Sequence, residues 1–253
     1  MRIRLSLATC TLALFLVGAT GRAADRHVHF RVPPPVGANI ASMPQIIDPV
    51  DAAEIRINAA LSRLDETVRK AARDCKSIDG KPGSWERTID MPMRGPGYVS
   101  FVITDNTYCG SAHPNVSTMS IVYDLRSGEP VDWTHLLPAS LTGTLALQEG
   151  ADGTKMVTLA SKRLFDLYLA GYRAGDSSAD AQECRQAIQD SAGDNPPPLM
   201  AWLDAKAGGL AVQFDLPHAV QACEEAVVVP LATIRAEGAQ VIVVDAIQKA
   251  RQP

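Results

Sequence analysis

The chain has 253 residues, a formal net charge of −4 and 46% hydrophobic residues, with an isoelectric point near 5.7. That length supports one large or two small domains with a real core. The mildly acidic balance leaves no basic footprint, which excludes nucleic acid as a partner.

The first element in chain order is a targeting segment. Arg2 and Arg4 precede an apolar run from Leu5 to Val17, and the small-residue site Gly21-Arg22-Ala23 follows. This layout predicts a secretory signal peptide over 1–23, cleaved after Ala23, with an apolar part too short for a good membrane span. Leu7-Ala8-Thr9-Cys10 loosely mimics a lipoprotein site. Almost no apolar core stands in front of it, so lipidation at Cys10 is not expected. Nothing after residue 23 is long and apolar enough to span a bilayer.

Residues 27–32, "HVHFRV", alternate as a short strand does, and "PPPVGANIASMPQIIDP" reads as an extended, proline-rich linker. Residues 24–50 are therefore expected to lie outside the main domain, which is assigned to 51–253. Asp51 opens a helix in which Ile55, Ala59, Leu61, Leu64 and Val68 recur at helical spacing up to about Arg73. From Ser84 the period becomes two. "SWERTIDMPM" and "GYVSFVITDNTYC" read as strands around the turn Arg94-Gly95-Pro96-Gly97, and "STMSIVYDL" as a third.

"VDWTHLL" begins a short helical segment. Lys155 to Tyr172 reads as a second long helix, with Leu159, Leu164, Phe165, Leu167 and Tyr168 on its apolar side. A short polar helix is expected at 177–190. Two strands follow over 199–217 around Ala207-Gly208-Gly209, then a strand leading into a short helix at 225–234. "AQVIVVDAI" closes the chain as a strand or helix. Strands and helices interleave without a repeating β-α unit, which predicts an α+β fold, helices packed on a largely antiparallel sheet.

Once the signal is removed, Cys75, Cys109, Cys184 and Cys223 remain. An even count in an exported chain reads as disulfides. Of the three possible pairings, Cys75–Cys109 with Cys184–Cys223 keeps each bridge local and is the one expected. A zinc site would need close pairs such as C-x-x-C, which the sequence lacks. No metal or other cofactor is expected.

The order of motifs carries a resemblance. "YCGSAHPNVSTMSIVYDLRSGEPVDWTHLL" resembles the signature of the RsiV-like family of unknown-function domains, matched at Gly110, Ala112, His113, Pro114, Asp124, Leu125, Gly128, Leu136 and Leu137. Cys109 and Ser111 depart from it. "GGLAVQFDLPHAVQACEEAVVVPLATI" looks like the family's closing segment. The similarity runs in order over 84–236. Relatives include lysozyme-binding anti-sigma factors and non-catalytic regions of peptidoglycan deacetylases. The resemblance implies a non-catalytic cell-envelope module, periplasmic or secreted, that recognises lysozyme or peptidoglycan. Only three residues precede Arg4, so the signalling role of the anti-sigma factors is not expected to carry over.

Cys109, Ser111 and His113 lie within five residues. A Ser111–His113–Asp124 hydrolase could be assembled from them, but no glycine-flanked nucleophile elbow is present. A turn accounts for more: Gly110 permits unusual backbone angles, Pro114 fixes its own, and His113 ties the loop by a side-chain hydrogen bond. On that reading, losing His113 would cost about 1–2 kcal/mol. "NVS" at 115–117 fits either a glycosylation acceptor or an Asx-type turn at Asn115, the latter preferred. His27 and His29 form a weak H-x-H pair, read as a solvated segment. His135 and His218 read as isolated helix-end or loop residues. Glu224-Glu225 reads as a solvated rim that could serve a basic partner. The candidate binding residues are therefore His113, Asn115, Glu224 and Glu225, with no catalytic residue assigned.

Overall fold

The computed structural model describes residues 26–252; the signal-peptide reading at 1–23 and Cys10 lie outside them. Two short strands, β1 (Phe30–Arg31) and β2 (Gln45–Ile46), pair antiparallel. They precede α1 (Ala52–Asp74). The Asp51 carboxylate caps α1 by accepting from the Glu54 N–H at 2.9 Å, and Glu54 reaches back to the Val50 N–H at 2.9 Å. This reciprocal cap fixes the start of the helix. Ile57, Leu61, Leu64 and Val68 form the buried stripe. Ile55 is 57% exposed, and Ala59 is exposed too, so these two fall off the stripe that the sequence reading gave them.

The proline-rich segment is packed, not a free linker. Met43 is fully buried, as nearly are Ile40 and Ser42. Its backbone finds partners on α1: the Met43 N–H donates to Asp65 Oδ1 (2.8 Å), and the Ile46 N–H to Asn58 Oδ1 (2.7 Å). Prolines have no N–H to satisfy, and α1 presents carboxylate and amide groups to the rest, so irregular backbone can be buried here.

Three strands, β3 (Ser84–Arg94), β4 (Tyr98–Tyr108) and β5 (Asn115–Asp124), form an antiparallel meander in that order. A 3-10 turn at Trp133–His135 and the short α2 (Ala139–Thr142) lead to β6 (Thr144–Glu149) and β7 (Lys155–Ala160), followed by α3 (Lys162–Gly171) and α4 (Ala179–Ala192). The helix expected from Lys155 to Tyr172 is thus a strand and a helix. Ser161 divides them: its hydroxyl accepts from the Leu164 N–H (3.1 Å) and starts α3, while Val157 and Thr158 before it are β-branched and pair with β6. β6 had no expected element. Nearly every one of its residues is exposed, so it shows no alternation of burial.

β8 (Leu199–Asp204) and β9 (Gly209–Phe214) form the expected hairpin. A second 3-10 turn (His218–Cys223), β10 (Val227–Pro230), α5 (Leu231–Ala236) and α6 (Val241–Ala250) complete the chain. The larger sheet has the order β10-β9-β8-β7-β6, antiparallel throughout. β8 and the residue after it make the main contact with the meander: Ser120 Oγ donates to the Ala201 carbonyl (3.1 Å), and the Ala205 N–H to the Pro92 carbonyl (3.1 Å). One hydrophobic core runs across both sheets and includes Phe101, Met119, Trp202, Val212 and Ile247. The fold is α+β, as expected. Among the described residues no helix is long and apolar enough to cross a membrane.

Candidate functional site

The start of β5, the end of β9 and the segment 218–226 enclose an open cavity of about 660 Å³. His113, Glu224 and Glu225 line it, together with Pro114, Val116, Gln213, His218 and Gln221. Three of the four candidate binding residues are thus brought together from positions more than 100 apart in sequence. Asn115 is not. Val116 and Thr118 point into the cavity, and side chains alternate along a strand, so Asn115 belongs to the opposite face. Its position also corrects the Asx-turn reading: Asn115 is the first residue of β5, and its carbonyl accepts from Thr107 Oγ1 (3.5 Å).

The 218–226 segment is irregular but held from several sides. Cys223 is bridged to Cys184 on α4, with sulfurs 2.04 Å apart. Two α3 tyrosines donate to its backbone, Tyr172 to the Cys223 carbonyl (2.9 Å) and Tyr168 to the Glu225 carbonyl (3.1 Å). Arg173 Nε pairs with the Glu225 carboxylate at 3.1 Å. On the other wall, β5 is an edge strand, and the Gln221 side-chain amide pairs with both the N–H and the carbonyl of Val116, as a neighbouring strand would. His218 Nε2 lies 2.9 Å from the Pro114 carbonyl, and the His218 ring stacks on His113 with centroids 5.8 Å apart. Cys75 and Cys109 form the second bridge (2.03 Å), at the base of the loop that carries His113. Both bridges are the pairs expected from locality.

Glu224 is the electrostatic centre. Burial pushes its carboxyl up to about 7, with the neighbouring Asp215 adding to the rise and hydrogen bonds from Gln213 and Gln221 partly opposing it. Gln213 Nε2 donates to Oε1. Oε2 is buried and has no hydrogen-bond partner among the described residues. Near neutral pH such a group can offer a proton to an acceptor or, once ionised, attract a cation.

The hydrolase constellation is not assembled. Ser111 Oγ donates to the carbonyl of His113 (2.5 Å), not to its imidazole. Asp124 stands at the far end of β5, about 30 Å along the strand, where it accepts from the Arg126 N–H (2.7 Å). Nor does His113 tie the loop by a side-chain hydrogen bond. It is exposed and stacks on His218, which makes the bond to Pro114 instead. His113→Ala and Ser111→Ala are therefore each expected to change unfolding stability by less than about 0.5 kcal/mol, and a fluorophosphonate probe should leave Ser111 unlabelled. Urea melts and labelled-peptide mass spectrometry check both.

Sequence reasoning missed Gln213, Gln221 and His218 as parts of this site. Gln221 lies three residues after His218, on the same side of a helical turn, but nothing local marks β5 as their neighbour. His27 and His29 are exposed on one side of a chain whose Val28 is buried. No group of three or more His, Cys, Asp or Glu among the described residues could hold a metal ion.

No family model and no curated protein matches the sequence. A solved structure of a DUF3298 family protein from Pseudomonas aeruginosa PAO1 is similar over 87% of this chain and 98% of its own, with a TM-score of 0.52 and 13% identity. The shared feature is the fold. DUF3298 is the RsiV-like C-terminal domain family, the same family the motifs at 108–137 and 208–234 resemble. Identity this low carries no site residue across, so the cavity's chemistry rests on this chain alone. Within the DUF3298-like fold, the cavity sits where the edge of the meander meets the loop that leads into β10.

Proposed function

We propose that the chain is an exported, non-catalytic binding protein of the bacterial cell envelope. Its cavity at His113, Gln221, Glu224 and Glu225 takes a cationic group of the partner, a lysozyme or an amine-bearing peptidoglycan component. The observation that carries this reading is Glu224, whose buried Oε2 accepts no hydrogen bond from the described residues, in a cavity otherwise lined by neutral, imidazole and carboxylate groups. An ionised carboxylate with one buried oxygen left unpaired is costly, and a bound ammonium or guanidinium offsets that cost. Export is supported by the signal-like leader and by two disulfides, which persist in oxidising compartments.

Isothermal titration of the mature protein with lysozymes and with peptidoglycan fragments tests the proposal. Affinity for a cationic partner should rise between pH 6 and 8, as the Glu224 carboxyl ionises through about 7. Glu224→Gln should weaken binding about tenfold and abolish the pH step. Absence of binding to both ligand classes, or binding indifferent to Glu224→Gln and to pH, would sink it.

A further inference from the structure

A second cavity, of about 630 Å³, lies between α1 and the strands β5 and β7. Its volume falls within the roughly 300–1,000 Å³ usual for small-molecule sites. Arg56, Ala60, Arg63 and Leu64 recur at helical spacing, so one side of α1 forms a wall. The floor is apolar: Leu64, Trp133 and Met156 all line it and are at most 9% exposed.

The rim has the opposite character to that of the first cavity. Arg56, Arg63 and Lys155 stand there; Glu129 is the one carboxylate lining the cavity, and Lys155 pairs with Glu149 (3.7 Å) outside it. Arg56 is engaged with Glu129 (3.4 Å) and with the Ser127 carbonyl. Arg63 is exposed and has no carboxylate at ion-pair distance among the described residues. Tyr123 also lines the cavity. Burial pushes its phenol up to about 12, with the nearby Arg63 partly opposing the rise, so the hydroxyl keeps its proton and can donate.

An apolar floor beneath an uncompensated guanidinium and a phenol donor matches one ligand chemistry. We infer that this cavity binds a fatty-acid-like amphiphile, its chain over Trp133, Met156 and Leu64 and its carboxylate at Arg63 and Tyr123. The sign of the rim excludes amines of the same shape, and the floor requires the chain as well as the headgroup.

The test is calorimetric titration of the folded protein with decanoate below its micelle concentration, beside decylamine and acetate. Decanoate should saturate at one per chain, with decylamine and acetate at least about tenfold weaker. Arg63→Gln should weaken decanoate about tenfold. Ala60→Trp, which fills the cavity, should abolish binding, and circular dichroism establishes that each variant folds. If Ala60→Trp does not fold, Arg63→Gln decides. Failure to saturate, equal binding of decylamine or acetate, or unchanged affinity in either folded variant overturns the inference.

Discussion

Arg87→Ala is expected to cost about 3–5 kcal/mol of unfolding free energy, the loss typical of breaking a buried ion pair from one side. The Arg87 side chain is fully buried on β3, directly opposite Asp105 on β4. Its Nε and Nη2 meet the two Asp105 oxygens at 2.7 and 2.6 Å, and Nη2 also meets Asp152 Oδ2 at 2.7 Å. Trp85 Nε1 donates to Asp105 Oδ1 (2.7 Å), and the Thr154 N–H to Asp152 Oδ1 (2.8 Å). Removing the guanidinium leaves two buried carboxylates facing one another without a cation. The backbone of Arg87 also pairs with Asn39 and Ala41, so the proline-rich segment is seated on the same residue.

Urea unfolding with fixed slope measures the loss. Asp105→Asn in an Arg87→Met background should recover part of it, because one of the stranded charges is then gone. A loss below about 1 kcal/mol for Arg87→Ala would mean that water reaches the carboxylates and that the charge cluster is not sealed.

The second large effect is expected from Cys184→Ser with Cys223→Ser. The bridge joins residues 39 apart in sequence, and the chain-entropy model assigns a loop of that size about 4 kcal/mol. The loss should be accompanied by loss of partner binding. Without the bridge, the segment that carries Gln221 and Glu224 is held by non-covalent ties alone: the tyrosine hydroxyls, the Arg173 pair, and the polar contacts of Gln221, His218 and Glu224 with Val116, Pro114 and Gln213. Cys75→Ser with Cys109→Ser should cost a similar amount, since that loop spans 34. It loosens only the His113 side, so the Glu224-dependent pH step in binding should survive. Unfolding under non-reducing conditions and titration of both double variants separate these outcomes. A stable Cys184/Cys223 variant that binds normally would show that the loop needs no covalent anchor.

Much of the architecture was legible because its causes are local. Asp51 before an apolar stripe at helical spacing marks the start of α1, and alternation from Ser84 to Asp124 with Gly-rich turns marks the meander. The hairpin at 199–214 was equally plain. Local pattern failed where two elements share one apolar rhythm. Across 155–172 a helical reading ran through Ser161, whose capping role depends on what the flanking segments pack against. Ile55 and Ala59 fit the helical count but lie just off the arc that reaches the sheet. The proline-rich 33–49 failed in the other direction. Its composition reads as solvated, yet Asp65 and Asn58 on α1 supply partners that only exist once the helix lies beside it.

The candidate site divides the same way. Glu224-Glu225 and the His113 loop were identifiable as polar groups with a possible recognition role, and the two bridges followed from cysteine number and locality. That His113 and Glu224 share a cavity and that Asn115 turns away from it depend on how the two sheets pack. Packing of the meander edge on the 218–226 segment places residues 113–118 against 213–226 through contacts far apart in sequence, and no local propensity encodes such a contact. Nor does local sequence encode the burial that raises the Glu224 carboxyl: desolvation comes from the elements packed around it, so its chemistry exists only in the folded chain.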